Sequence, residues 1–437
     1  MGVKVGGKVE RVNGKEISYK EFTEKYLVKN EPVVLTGLMD DWKACKDWVT
    51  SDGKPNLNFF STHFGKSLVQ VEELAEQKRV EMSVADFIKN WLDSDESLLY
   101  LKDWHFVKEY PEYIAYTTPL FFRDDWLNLY LNSYHMHTDT DTYQEKNEIS
   151  CSDYRFVYMG TKGTWTPLHA DVFRSYSWSA NVCGKKQWHF LSPSQCHHVF
   201  DRSMKNSVYD IFGDVSETKF PGFKKDDTIS INHNWFNAHN LSWVWKLLHT
   251  DYKVAKEYIE DIQDICDNFE DLCQRNLAAN TGMNFCDFFS FIVRFSFASL
   301  ILLYLSDKVN HKPMKGTLFS TQHVLSNLRF IKQVALSMKS VEALNENTSS
   351  LLEVREVLKE PLFVELCKDL ERTYKMIYEQ WEQRSDTNGP SIVNFDELEL
   401  DKAAFPRVCR PEDLVRMIDF AFTHFGVESG LEDCCDI

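Results

Sequence analysis

A chain of 437 residues that is 43% apolar and 14% aromatic has ample material for a large buried core and, by length, for two or three domains. Its formal net charge of −17 works against a general electrostatic grip on nucleic acid, which depends on clustered Lys and Arg, and suits a basic protein partner better. The 11 cysteines are scattered without CxxC pairs, and the opening MGVKVGGKVERVNG has no apolar signal core, so reduced thiols in the cytoplasm or nucleus are expected. Lipidation is not expected, because Gly6 stands where a myristoylation signal needs Ser or Thr, and Asp436 interrupts the prenylation outline of the last four residues.

Ser18 caps a predicted helix over YKEFTEKYL, and Pro32-Val33-Val34-Leu35-Thr36-Gly37 reads as a short apolar strand. Strand-like SLVQVEEL and helical SVADFIKNWL follow, alternating with aromatic loops such as YLKDWHF, whose Trp104, His105 and Phe106 are read as core. The polar run His135 to Ser152 is a loop or insertion. DDTISINHNW, from Asp226 to Trp235, alternates as a strand that places Asn232 and Asn234 on one face and His233 with Ile229 and Ile231 on the other. After Leu241 the periodicity becomes helical as far as Gln383, a loop follows around Ser385 to Pro390, and DLVRMIDFAFTHFG is a last helix. Phe288 to Leu305 approaches membrane-spanning length, but Arg294 interrupts it and Asp287 and Asp307 flank it; a buried or dimer-forming helix is expected, and no membrane.

The chemistry concentrates in Val157 to Asn181, VYMGTKGTWTPLHADVFRSYSWSAN. On a strand, His169 and Asp171 would project to the same side, supplying two thirds of the two-histidine, one-carboxylate face that holds a non-haem ferrous ion and leaves positions open. His-x-Asp by itself is a weak signal, because the chain also has His137-Thr138-Asp139 in a polar run and His249-Thr250-Asp251 in a helical pattern, where residues two apart do not share a face. Only His169 follows a turn-forming MGTKGTW and precedes a Gly184-Lys185-Lys186-Gln187-Trp188 segment. The plain alternative is a strand-end His and Asp bonded to backbone.

The segment YRFVYMGTKGTWTPLHADVFRSYSWSANVCGKKQWHFLSP resembles the core of a JmjC (jumonji C) domain, with LLYLKDWHF, TTPLFFRDDWLNLYL and DDTISINHNWFNAHNL as further motifs in the right order. The resemblance implies an α+β fold: a double-stranded β-helix, or cupin-like jelly roll, with N-terminal α/β elements at 1–150, a barrel core at 151–241 and a C-terminal helical region at 242–437. It implies Fe(II), 2-oxoglutarate and O2 as cofactor and cosubstrates. His169 and Asp171 match the metal ligands. Lys186 matches the lysine of a Gly-x-Lys-x-Trp pattern that meets the distal carboxylate of the cosubstrate, and Thr166 matches a hydroxyl donor to the same group. Asn232 and Asn234 would face the pocket, with Asn181 and Trp178 lining it, core packing being an equal reading for the tryptophan. Lys185 should point to the other face of its strand and be solvated.

In the family, a strand with a Gly-Trp-x-His pattern completes the iron site about six residues before the last strand; counting back from Asp226 gives Phe220, and KFPGFKK contains no histidine. The join between Phe223-Lys224-Lys225 and Asp226 has the form of a deletion of a few tens of residues, as a skipped exon or a faulty gene model would produce. If the chain re-routes, His197, His198, His233 or His239 would be the replacements. The branch of the family that these motifs resemble implies C4-hydroxylation of a lysine in the eukaryotic translation release factor, with the C-terminal helices supporting a homodimer or substrate docking. A histone lysine demethylase and a catalytically inactive binding protein are the alternatives, separable by the product mass and by the metal.

Overall fold

The computed structural model describes residues 7–74, 78–93, 98–134, 136, 153–192, 227–310, 321–341, 344, 354–382 and 407–426. Two short parallel strands, β1 (Glu10–Asn13) and β2 (Val33–Thr36), form a separate ribbon. Between them Ser18 starts the predicted helix: its hydroxyl accepts the Glu21 amide at 3.2 Å while Glu21 reaches back to the Ser18 amide, a reciprocal cap.

The main sheet has six antiparallel strands: β3 (Leu68–Glu73), β4 (Lys78–Ser83), β5 (Leu99–Trp104), β6 (Arg155–Gly160), β7 (Tyr176–Cys183) and β8 (Thr228–Trp235), in the spatial order β4-β3-β5-β6-β8-β7. The α+β, jelly-roll-like architecture expected from the sequence holds, but half of this sheet comes from the N-terminal 150 residues, so those strands extend the core sheet rather than standing beside it. Alternation gives the sheet two unlike faces. Val69, Val71, Leu101, Val157, Met159, Ile229 and Ile231 are all 3% exposed or less and pack beneath the helices Leu57–Phe64 and Val84–Asp93. Each such side chain contributes roughly 1.5–3 kcal/mol when fully buried. The opposite face carries Glu72, Tyr100, Lys102, Tyr158, Ser230, Asn232, Asn234, Ser177 and Asn181, as the register of the paired strands requires.

A second core joins the helix Trp126–Leu131 to the C-terminal helices Leu241–Glu257, Phe269–Thr281, Phe285–Asn310, Thr321–Met338, Pro361–Glu382 and Pro411–His424. Phe285–Asp307 is apolar enough to cross a membrane by composition, yet most of it is buried inside this chain, the first of the two outcomes expected for it. Trp126 stacks on Phe295 with ring centroids 4.6 Å apart. Arg294, the charge that interrupts the apolar run, donates from Nη1 to the Tyr130 hydroxyl at 2.7 Å and lies 4.2 Å over the Tyr134 ring. A buried carboxylate ties the two cores: Asp124 accepts from Trp126 Nε1 at 2.8 Å and Asn237 Nδ2 at 3.3 Å, with His323 Nε2 at 3.7 Å.

Gly184 ends β7 with a φ of +72°, and a Cβ there would meet the Asp227 carbonyl oxygen at 1.7 Å. Only glycine allows the β7 terminus to lie this close to the chain entering β8. Gly184→Ala should lower stability by about 3 kcal/mol, combining the left-handed penalty with a backbone clash. The check is the midpoint of urea unfolding; an unchanged midpoint would show that this crossing can open without cost.

Candidate metal and cosubstrate site

Lys102 and Tyr100 on β5, Tyr158 on β6, and Ser230, Asn232 and Asn234 on β8 make the floor of the site. His169 and Asp171 do not lie on a strand, contrary to expectation. They occupy the irregular connection between β6 and β7, immediately before a single 3-10 turn, Val172–Arg174, in which Phe173 and Arg174 take φ values of 55° and 48°. The left-handed pair reverses the chain sharply and buries Phe173, so that Asp171 is brought over the polar face by loop geometry and not by strand alternation.

The pair converges nonetheless. His169 Nδ1 donates to the Pro167 carbonyl at 2.8 Å, which leaves Nε2 to face Asp171 Oδ1 at 3.6 Å. Two donors each about 2.1 Å from one divalent ion, at 90–110°, stand about 3.0–3.4 Å apart, so the observed spacing and tautomer fit a shared metal with little adjustment. Hydrogen bonding to the Asp171 carboxylate raises the His169 pKa. Asp171 is partly desolvated, which would raise its own pKa, but bonds from His169, Ser177 and Asn234 and the His169 charge outweigh that and lower it. The chain thus holds a carboxylate anion facing an imidazole nitrogen, with a proton between them that a metal ion would replace.

A third protein ligand is not among the described residues: no group of three or more His, Cys, Asp or Glu side chains converges there. His197, His198, Phe220 and the join at Phe223 to Asp226 lie outside the described residues. Two of the substitutes considered from sequence are excluded by position. His233 is 1% exposed on the apolar face, as alternation predicts, with Nε2 2.6 Å from the Tyr116 hydroxyl and its ring 4.1 Å from that of Trp178; burial and the Arg155 charge hold it neutral. His239 belongs to the helical core beside Phe330.

Lys186 also lies off the strand, because β7 ends at Cys183 and turns at Gly184. Its ammonium nevertheless reaches the sheet floor, donating to Ser230 Oγ and Asn232 Oδ1 at 3.3 Å each, 5.2 Å from the Tyr158 ring centroid and 4.8 Å from that of Trp188. Burial, helped by the Lys102 charge and opposed by Asp171, pushes its pKa down to about 7. Among the described residues no anion pairs with this ammonium, which suits it to an incoming carboxylate. Lys185 is exposed, as expected, though on a loop. Thr166 directs its hydroxyl at the Tyr100 phenol. Asn234 Nδ2 donates to Ser175 Oγ at 3.3 Å and Asn232 Nδ2 to Ser230 Oγ at 3.0 Å, both on the floor. Asn181 shares that face, but its amide is used within the chain, donating to the Gly184 carbonyl and accepting from Thr228 Oγ1 at 2.8 Å each. Trp178 faces the apolar core against Phe122, so packing, not pocket lining, is its role.

Sequence reasoning missed Tyr100, Lys102 and Tyr158. The first two were legible as i and i+2 of a strand in LLYLKDW. The support of Asp171 by Ser177 has no sequence signal, since it depends on where the connection folds back.

An antiparallel sheet with one apolar and one polar face, with a His-x-Asp pair converging over the polar face and a lysine beneath it, makes a candidate cupin-type metal site. The comparisons agree: the cupin-like domain family matches residues 19–415. The Arabidopsis thaliana protein named arginine-specific demethylase JMJ20 is 52% identical, over 96% of this chain and 97% of its own. Proteins named 2-oxoglutarate and iron-dependent oxygenase JMJD4 are 34% identical in Danio rerio, over 64% of this chain and 72% of theirs, and 32% identical in Gallus gallus, over 76% and 85%. The chain belongs to the cupin-like JmjC oxygenase family and is related to JMJD4. The Arabidopsis alignment runs over 458 positions but takes in 96% of this chain, about 420 of its 437 residues, so about 38 of those positions (458 minus 420) have no counterpart in this chain.

Asp171→Asn should weaken divalent metal binding by more than about 100-fold, beyond the usual loss for groups that only support a ligand, and should return the His169 pKa toward its ordinary value. Cobalt titration followed by absorbance and imidazole proton NMR read the two effects. For Lys186, the protonated form binds a carboxylate. Affinity for 2-oxoglutarate should therefore be flat below a pH of about 7 and fall roughly tenfold per unit above it, until the higher pKa of the bound state is passed. Calorimetry at several pH values, in buffers of different ionisation enthalpy, would show proton uptake in the falling range; its absence removes Lys186 from this role.

Proposed function

We propose that this chain is a Fe(II)- and 2-oxoglutarate-dependent oxygenase acting on a cationic side chain of a protein, with a lysine of the translation release factor as its substrate in the cytoplasm. The observation that carries this reading is the convergence of His169 Nε2 and Asp171 Oδ1, 3.6 Å apart, over a floor from which the Lys186 ammonium projects. His169 and Asp171 would hold the iron, and Lys186 with Thr166 and Tyr100 would receive the distal carboxylate of the cosubstrate. Iron with 2-oxoglutarate and O2 supplies the oxidising power that turns a C–H bond into C–OH, coupled to decarboxylation of the cosubstrate to succinate. The chain's own residues orient the cosubstrate by one charge pair, keep the His169 tautomer through Pro167, and keep Asp171 ionised through Ser177 and Asn234. JMJD4 relatives carrying the oxygenase name support this reading.

A second reading has its own support. The 52% identical Arabidopsis relative is named an arginine-specific demethylase, and the same insertion of oxygen into an N-methyl C–H bond releases formaldehyde. Both readings need the metal, and with two protein ligands among the described residues the affinity for it decides whether the chain is an enzyme or an inactive binding relative.

The test incubates the full chain with Fe(II), 2-oxoglutarate and either the release factor or a methylarginine peptide, and reads products by mass spectrometry. Addition of one oxygen atom to lysine, abolished by His169→Ala, is the expected outcome. Loss of a methylene from methylarginine selects the second reading. Succinate production at the level of a metal-free control overturns both.

A further inference from the structure

Besides Glu72, which is paired with Lys102, the polar face holds a carboxylate at Asp103 that the proposed chemistry does not use. Strand β5 pairs with β6 through Leu101 to Met159 and Trp104 to Val157, and the register shifts between them, so Lys102 and Asp103 together stand opposite the single residue Tyr158. Such a bulge delivers two successive side chains to one face and re-aims the second. Asp103 takes a φ of 55°, a left-handed conformation uncommon outside glycine and most open to Asp and Asn.

What the bulge presents differs between the two residues. The Lys102 ammonium is paired with Glu72 Oε2, and both side chains are largely shielded, at 11% and 19% exposed. Asp103 is held at one oxygen by the Tyr158 hydroxyl, 2.8 Å from Oδ1, while Oδ2 faces the Arg79 guanidinium at 3.2 Å. That second pair is open to solvent, with side chains 37% and 54% exposed, and an exposed pair of this kind exchanges partners at little cost. Tyr158 also underlies Lys186, which places the Asp103 carboxylate one tyrosine side chain away from the cosubstrate lysine.

We propose that Asp103 is the specificity-determining residue for the substrate, accepting the ammonium or guanidinium end of a lysine or arginine side chain, and that Arg79 occupies its carboxylate until the substrate displaces it. The inference rests on the oxygenase reading and deepens it by assigning the group that recognises a cation. A carboxylate pre-oriented by a phenol donor suits both ends, taking an ammonium as a point charge or a guanidinium by paired bonds. The net charge of −17 would favour approach of such a substrate.

The experiment measures binding of Gly-Gly-X-Gly-Gly peptides, with X as arginine, lysine, citrulline or norleucine, to the full chain by NMR titration without iron. The arginine and lysine peptides should bind about tenfold tighter than the neutral pair. Asp103→Asn, which tolerates the left-handed backbone, should abolish that difference. Arg79→Ala, at an exposed position where folding should be unaffected, should tighten the cationic peptides about threefold and leave the neutral ones unchanged, because it removes a competitor. A preference that survives in Asp103→Asn, or a weakening of the cationic peptides in Arg79→Ala, overturns the proposal. Because binding is read without metal, a chain that binds these peptides selectively yet shows no turnover contradicts the oxygenase reading and not this one.

Discussion

Strands β3, β5, β6, β8 and β7 share a register that turns one face of the sheet largely apolar, and the rest of the molecule follows from the need to cover that side. Val71, Leu101, Met159, Ile229 and Ile231 form a continuous surface that must leave water, and the N-terminal helices supply the cover. Because side chains alternate strictly, the same register commits Tyr100, Lys102, Tyr158, Ser230 and Asn232 to the other side. The hydrophobic effect thus assembles the polar floor indirectly: nothing about a lysine or an asparagine draws it there, but its apolar neighbours leave it no other direction.

Charges gathered on one face in this way interact strongly, and the chain resolves them in pairs. Glu72 neutralises Lys102, Arg79 meets Asp103, and Asp171 lies near His169. Lys186 is the exception among these groups, resting on neutral oxygens of Ser230 and Asn232 with an aromatic ring on either side. A cation placed among dipoles and rings is solvated enough to remain but gains further from an anion, which is the electrostatic condition for binding a dicarboxylate.

The helical region has a supporting role that its apolar composition conceals. The helix Phe285–Asn310 would read as a membrane span were it not wrapped by Trp126, Tyr130 and the neighbouring helices, with Arg294 bonded to the Tyr130 hydroxyl and lying over the Tyr134 ring. Its partner Trp126 lies two residues after Asp124, whose buried carboxylate also holds Asn237 just beyond β8. Packing in the helices therefore helps to place the end of the strand that carries Asn232 and Asn234.

Local pattern alone determined much of this. The cap at Ser18, the strand at Val33, the alternation of Asn232 and Asn234 against His233, and the burial of Trp104 and Phe106 all depend on neighbours within a few residues, and such relations are written in the order of the chain. The identity of the His169-Ala170-Asp171 motif was legible too, and so was the lysine at 186. What only the tertiary structure decided is how these residues meet. His169 and Asp171 converge through a left-handed reversal at Phe173 and Arg174, Lys186 arrives after the turn at Gly184, and Asp103 joins the site through a bulge. A backbone reversal of this kind depends on contacts made far along the chain, such as Gly184 against Asp227 or Phe173 against Phe236, and no periodicity in a sequence encodes contacts that distant.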